Sequence, residues 1–218
     1  MTPSPGDAGR PRSATYLAIL HPAMADMEET GEASVRVARI LEESESSYGS
    51  IYHHFGSREG LVQAALVERY VATLSLGLEE FRAAVEAATT VDDVVALVIS
   101  EVERCGSSEP SKNRHRRINA LGAAVYRPEV LAEIARHQSA HYDNVARALV
   151  ILQDRGLIDA SVSLRAFSSW FLGLVLSRFF AEIDEPSNLD AWSSQTVDAT
   201  LTVLGLPCLL YTSDAADE

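Results

Sequence analysis

The segment that most limits the fold is Ser47 to Phe55, Ser-Tyr-Gly-Ser-Ile-Tyr-His-His-Phe, followed at once by Gly56-Ser57-Arg58-Glu59-Gly60. In a helix, Ile51 and Phe55 sit one turn apart and face inward, while Tyr48, Tyr52 and His53 fall on other faces. The outer surface then consists of hydroxyls, amphipathic rings and imidazoles. Such groups donate to phosphate oxygens or touch base edges, where a structural helix more often shows Glu, Lys and Gln. Upstream, Val35 to Glu43 predicts a second short helix with Val37, Ile40 and Leu41 apolar, and Ser44 to Ser46 leaves room only for a tight turn. Two short helices joined in this way make a helix-turn-helix.

From Ile40 onward the run Gly49-Ser50-Ile51-Tyr52-His53-His54-Phe55-Gly56-Ser57-Arg58-Glu59 resembles the N-terminal signature of the tetracycline-repressor (TetR) family. That signature reads Ile-Ala-x-x-Ala-Gly-Val-Ser-x-Gly-Thr-Leu-Tyr-x-His-Phe-x-Ser-Lys-Glu, and the match spans Ala33 to Leu66. The resemblance implies an all-α fold, with an N-terminal three-helix DNA-binding head followed by a larger helical domain for ligand binding and dimerisation. The expected layout is a flexible arm over 1–13, the head over 14–57 and the larger domain over 58–207. The implied function is a cytoplasmic, homodimeric transcriptional regulator. It would be a repressor that a small-molecule effector releases from a palindromic double-stranded operator.

Carried over by position, Tyr52, His54 and Arg58 would meet phosphates, and Ser47, Tyr48, Ser50 and His53 would face bases. Arg39 completes the expected DNA-binding set. The plainer readings are a Tyr52 ring packed beside Ile51 and an Arg58 that is a solvated cation at a helix start. The chain departs from the family in the turn, where Ser44-Glu45-Ser46-Ser47 replaces Ala-Gly-Val-Ser. The usual Gly supports a left-handed backbone that Glu adopts only with strain, and the usual Val fills the space between the helices.

Charge argues against a general affinity for nucleic acid. The chain is acidic, with a formal charge of −13, and between Ser34 and Gly60 three arginines stand against Glu42, Glu43, Glu45 and Glu59. Affinity must then come from a few placed contacts repeated in a dimer, with Arg10 and Arg12 of the arm as further candidates. The alternative is a ligand-binding or interaction module of the same fold that has lost DNA binding, which Pro22, Glu45 and Ser46 favour.

The chain from Met1 to Ser13 has no apolar stretch of the kind a signal peptide carries. Ala166 to Phe180 is shorter than the about 18 apolar residues of a membrane span, so no membrane partner is expected. Two cysteines give no disulfide framework and suggest a reducing compartment. Cys208 to Glu218 looks like the in-frame translation of a sequencing adapter, and the native chain is expected to run on beyond Pro207.

Along the chain, Tyr16 to Thr30 predicts a first helix that Pro22 either delays to His21 or kinks, and that Gly31 ends, with Ser34 capping the next. Ser57 caps a long helix running from Arg58 towards Phe81, and Thr90-Val-Asp-Asp opens another. Ser107 to Asn113 reads as a polar loop. Lys112, Arg114, His115, Arg116 and Arg117 form a basic run, read as a solvated helix start or, alternatively, as a contact for an anionic effector or a phosphate. Pro128 begins a helix that Gly156 stops.

On that helix Ile134, Gln138, His141, Val145, Ala148 and Leu152 alternate at intervals of four and three. Gln138 and His141 thus lie on an apolar seam, as candidate ligand-binding residues or as polar groups satisfied by neighbours. Glu133, His137 and His141 have a spacing that can hold a metal, but no fourth ligand is in view and no metal is expected. Phe167, Trp170, Phe171, Leu174 and Phe179, with Trp192, Val197 and Leu201, give the last two helices apolar faces suited to a core or to a dimer interface. No catalytic motif is present, so neither an enzyme nor a cofactor is expected.

Overall fold

A computed structural model describes residues 13–184 and 188–207, and every regular element among them is helical. In order these are α1 (Ala14–Thr30), a 3-10 turn (Glu32–Ser34), α2 (Val37–Glu43), α3 (Tyr48–Phe55), α4 (Arg58–Leu74) and α5 (Leu78–Ala87). There follow α6 (Val91–Cys105), α7 (Ser108–Ala124), α8 (Pro128–Asp154), α9 (Leu164–Glu182) and α10 (Asn188–Val203). Arg10, Arg12 and the adapter-like tail with Cys208 lie outside the described residues.

The described residues form two compact units, 13–72 with 123–134, and 73–122 with 135–184 and 188–207. In the first, Ile19, Leu20, Met27, Val35, Ile40, Ile51, Leu61 and Val62 are buried. The ring of Tyr16 stacks on Phe55 at 4.7 Å and joins α1 to α3. In the second, residues from α5, α6, α8, α9 and α10 share one apolar core that includes Val85, Val94, Leu97, Leu149, Phe167 and Leu201. By length and composition residues 58–87 would pass as a membrane span. That stretch is broken at 75–77, and its Leu61, Val62, Leu66 and Tyr70 are buried in the protein.

Several boundaries differ from those the sequence suggests. α1 begins at Ala14, capped by the Ser13 hydroxyl, which accepts the Tyr16 N–H at 3.1 Å, and it runs through Pro22 rather than starting at His21. Ser34 does not cap α2; its hydroxyl donates to the Asp26 and Gly31 carbonyls, and Arg36 occupies the cap position. The long helix after Ser57 is two helices, because Gly77 takes a left-handed conformation before α5. Ser107 to Asn113 is not a loop: α7 begins at Ser108 and carries the basic run.

The turn after α2 has the strain expected of it. The Ser46 N–H donates to the Leu41 carbonyl at 3.0 Å and the Glu45 N–H to that of Glu42, a Schellman pattern that places Glu45 at φ 50°. Glu45→Gly is expected to stabilise the chain by about 0.5–1 kcal/mol, once the larger chain entropy of glycine is deducted. Denaturant unfolding of the two proteins measures this, and a less stable Gly variant would mean that the Glu45 side chain compensates for the backbone.

Candidate functional site

α3 is defined at both ends. The Ser47 hydroxyl accepts the Ser50 N–H at 3.3 Å and lies 3.2 Å from the Ser50 hydroxyl, and Gly56 at φ 72° closes the helix. α4 starts so close to this end that a Cβ on Gly60 would lie 1.9 Å from the Phe55 carbonyl oxygen, so only glycine fits there. With Ile51 and Phe55 turned inward, Tyr48 and Tyr52 are 59% and 65% exposed and His53 is also exposed. The Tyr52 ring is therefore not packed away beside Ile51.

The other residues predicted to meet DNA are held differently. His54 is half-buried edge-on to Tyr16, and burial, with the neighbouring His53, holds its pKa below the usual value. Arg58 is not a freely solvated cation. Its Nε donates to the Val35 carbonyl at 3.0 Å and its Nη2 to that of Glu32 at 3.1 Å, bracing the start of α4 against the turn before α2. Arg39 pairs with the buried Asp26 at 2.8 Å and approaches Glu43 at 3.7 Å. Arg36, which the sequence reading passed over, is exposed at the start of α2, and its side chain makes no ion pair among the described residues. Arg127, at the turn between α7 and α8, binds Glu32 at 2.7 Å and Glu59 at 3.0 Å within the same unit.

The second unit encloses a cavity of about 270 Å³ lined from α4 through α10. That is close to the lower end of small-molecule sites, roughly 300–1,000 Å³. His141 lines it; Gln138 is buried but does not. Phe81, Val94, Leu97, Val98, Leu149, Phe167 and Phe171 supply apolar walls, and Glu101, Arg104, Asn113, Arg114 and Arg117 supply polar ones. Two residues of the basic run, Arg114 and Arg117, thus turn inward, while Lys112 and His115 are exposed. Arg114 is buried against Glu182 and donates from Nη1 to the Cys105 carbonyl at 2.9 Å, and Arg117 donates to the Thr73 hydroxyl and carbonyl at 2.7 and 2.5 Å. Burial also pushes the Cys105 thiol up. Among the described residues no group of three or more His, Cys, Asp or Glu side chains is placed to hold a metal.

Burial and the nearby Arg117 charge lower the His141 pKa from 6.5 to about 4. Unfolded chains protonate this imidazole near 6.5 while the folded protein resists until about 4. Its contribution is therefore complete above the upper value and is lost as pH falls through the window. His141→Phe is expected to flatten the decline in stability over that range, as read by urea unfolding at several pH values. An unchanged pH profile would remove His141 as its source.

Of the residues assigned to a dimer interface, Phe167, Val197 and Leu201 are buried in the core of their own chain. Trp170 is exposed, Phe171, Leu174, Phe179 and Trp192 are half-buried, and Phe180 and Ile183 at the end of α9 are more exposed than any of these.

Residues 19–65 match the family model described as bacterial regulatory proteins, tetR family. The HTH-type transcriptional regulator UidR of Escherichia coli (strain K12) is 25% identical over 160 residues, covering 73% of this chain and 77% of the relative. A TetR-family regulator from Mesorhizobium loti MAFF303099 has a similar fold, with a TM-score of 0.66 at 15% identity, covering 88% of this chain and 98% of the other. SmeT, the repressor of the Stenotrophomonas maltophilia multidrug efflux pump SmeDEF, matches with a TM-score of 0.51 at 19% identity over 88% of this chain and 90% of its own. Residues 19–65, which form a capped helix-turn-helix, are thus similar to the tetR family of bacterial regulatory proteins, and the all-helical chain shares the fold of these regulators over most of its length.

Proposed function

We propose that the protein is a dimeric, cytoplasmic repressor that binds a palindromic operator through α3 and leaves it when a small molecule occupies the cavity of the second unit. The observation that carries DNA binding is the exposure of Tyr48, Tyr52 and His53 on a helix whose apolar side is buried. These groups reach bases and phosphates, Ser47 and Ser50 lie in the first turn of the same helix, and Arg36 adds an exposed cation at the start of α2. Exposed Trp170, Phe180 and Ile183, with the half-buried rings beside them, are the surface proposed to pair with a second copy.

Effector control follows from chain connectivity. Thr73 and Leu74, the last residues of α4, line the cavity, and the same helix begins directly after the helix-turn-helix. A ligand that fits the cavity better in one placement of these residues shifts the equilibrium between head positions by its difference in affinity for the two.

The engagement of Arg39 and Arg58 inside the head, with the strained Glu45, favours a second reading: a regulator fold that binds ligand but no DNA. Nuclease protection on DNA flanking the protein's own gene separates the two. Two protected half-sites about one helical turn apart are the expected result. An unprotected fragment in the presence of folded dimer selects the second reading.

A further inference from the structure

Polar and apolar linings of the cavity are segregated along the same helices. On α6 the lining passes from Val94, Leu97 and Val98 to Glu101 and Arg104, and on α8 His141 precedes Val145, Leu149 and Leu152. Contacts gather the polar residues at one end: Arg117 of α7 binds Thr73, Arg114 binds the Cys105 carbonyl, and the charge of Arg117 acts on His141. Counting the lining residues with their ion-pair partners, five cations, Arg104, Lys112, Arg114, Arg116 and Arg117, stand with three carboxylates, Glu101, Glu109 and Glu182. A cavity with one cationic end and an apolar remainder selects for a molecule of matching polarity.

We propose that the effector is an amphipathic anion, with a carboxylate seated against Arg117 and His141 and an apolar chain or ring lying between Phe81, Leu97, Leu149 and Phe171. A neutral imidazole offers one N–H to such a carboxylate, and a guanidinium offers a planar pair of donors, so the two together fix its orientation. The apolar walls supply the remaining affinity by removing the tail from water. This assignment rests on reading the cavity as the effector site.

The test is calorimetric titration of the full chain with decanoate, decanamide and decyltrimethylammonium, each below its aggregation threshold. Decanoate is expected to bind about tenfold or more tightly than decanamide, the difference expected of one charge-assisted contact. Arg117→Gln is expected to abolish that preference and leave decanamide binding in place, while Arg117→Lys retains the preference. Equal binding of decanoate and decanamide, or preference for the ammonium, overturns the anionic assignment and leaves the cavity as a binding site. Failure of all three to bind the folded protein overturns the cavity reading together with the assignment. Should Arg117→Gln not fold, the wild-type comparison and the Lys variant still decide the matter.

Discussion

Arg114→Ala is expected to destabilise the protein by about 3–5 kcal/mol, the range for breaking a buried ion pair from one side. The Arg114 side chain is 1% exposed. Its guanidinium bonds both oxygens of Glu182, and its Nη1 satisfies the Cys105 carbonyl at the end of α6. Alanine leaves that carbonyl without its donor and leaves Glu182, itself only 15% exposed, to Arg178 at 3.4 Å and the Ser111 hydroxyl at 3.5 Å. Because Arg178 remains beside Glu182, the loss should fall towards the lower end of the range. Arg114→Met combined with Glu182→Leu should recover much of it, since a buried pair replaced by apolar groups is often neutral. Urea unfolding of the three variants measures both effects. A loss below about 1 kcal/mol for Arg114→Ala would place the pair in the class of solvent-screened ion pairs.

Replacing both Tyr52 and His53 by alanine is expected to weaken operator binding by roughly a thousandfold. The change removes four side chains from one operator when the chain binds as a dimer, and about 1 kcal/mol for each contact sums to that factor. Both residues are exposed and neither supports the head core, so stability should move by less than about 0.5 kcal/mol. Fluorescence anisotropy with labelled operator reads the affinity, and a thermal melt reads the fold. An affinity within about tenfold of the parent chain, with the fold intact, would show that the exposed face of α3 does not read the operator.

Local signals in the chain translated well into structure. Ile51 and Phe55 at a spacing of four, Gly31 after α1, the Thr90 and Asp93 capping box, Pro128 opening α8 and Gly156 closing it all depend on residues close in sequence. The left-handed Glu45 was legible for the same reason. Arginine roles were not. Arg58 reaches carbonyls at positions 32 and 35, Arg117 reaches Thr73, and Arg114 is buried by a glutamate 68 residues away. A run of cations reads as solvated until its distant partners are known, because burial of a charge depends on pairing rather than on spacing. His141 of the apolar seam lines the cavity, whereas Gln138 at the neighbouring position of that seam is buried without lining it. A helical period fixes which side of α8 a residue occupies, and the neighbouring helices decide whether that side meets core or empty space.

The most direct measurement is equilibrium binding of the full chain to DNA flanking its own gene and to a scrambled fragment of equal composition, at several salt concentrations. The account predicts saturable binding to the flanking DNA at two chains per site. Affinity should fall with salt on a log–log slope of roughly 0.9 for each phosphate contacted. Equal binding of both fragments at every salt concentration would contradict it.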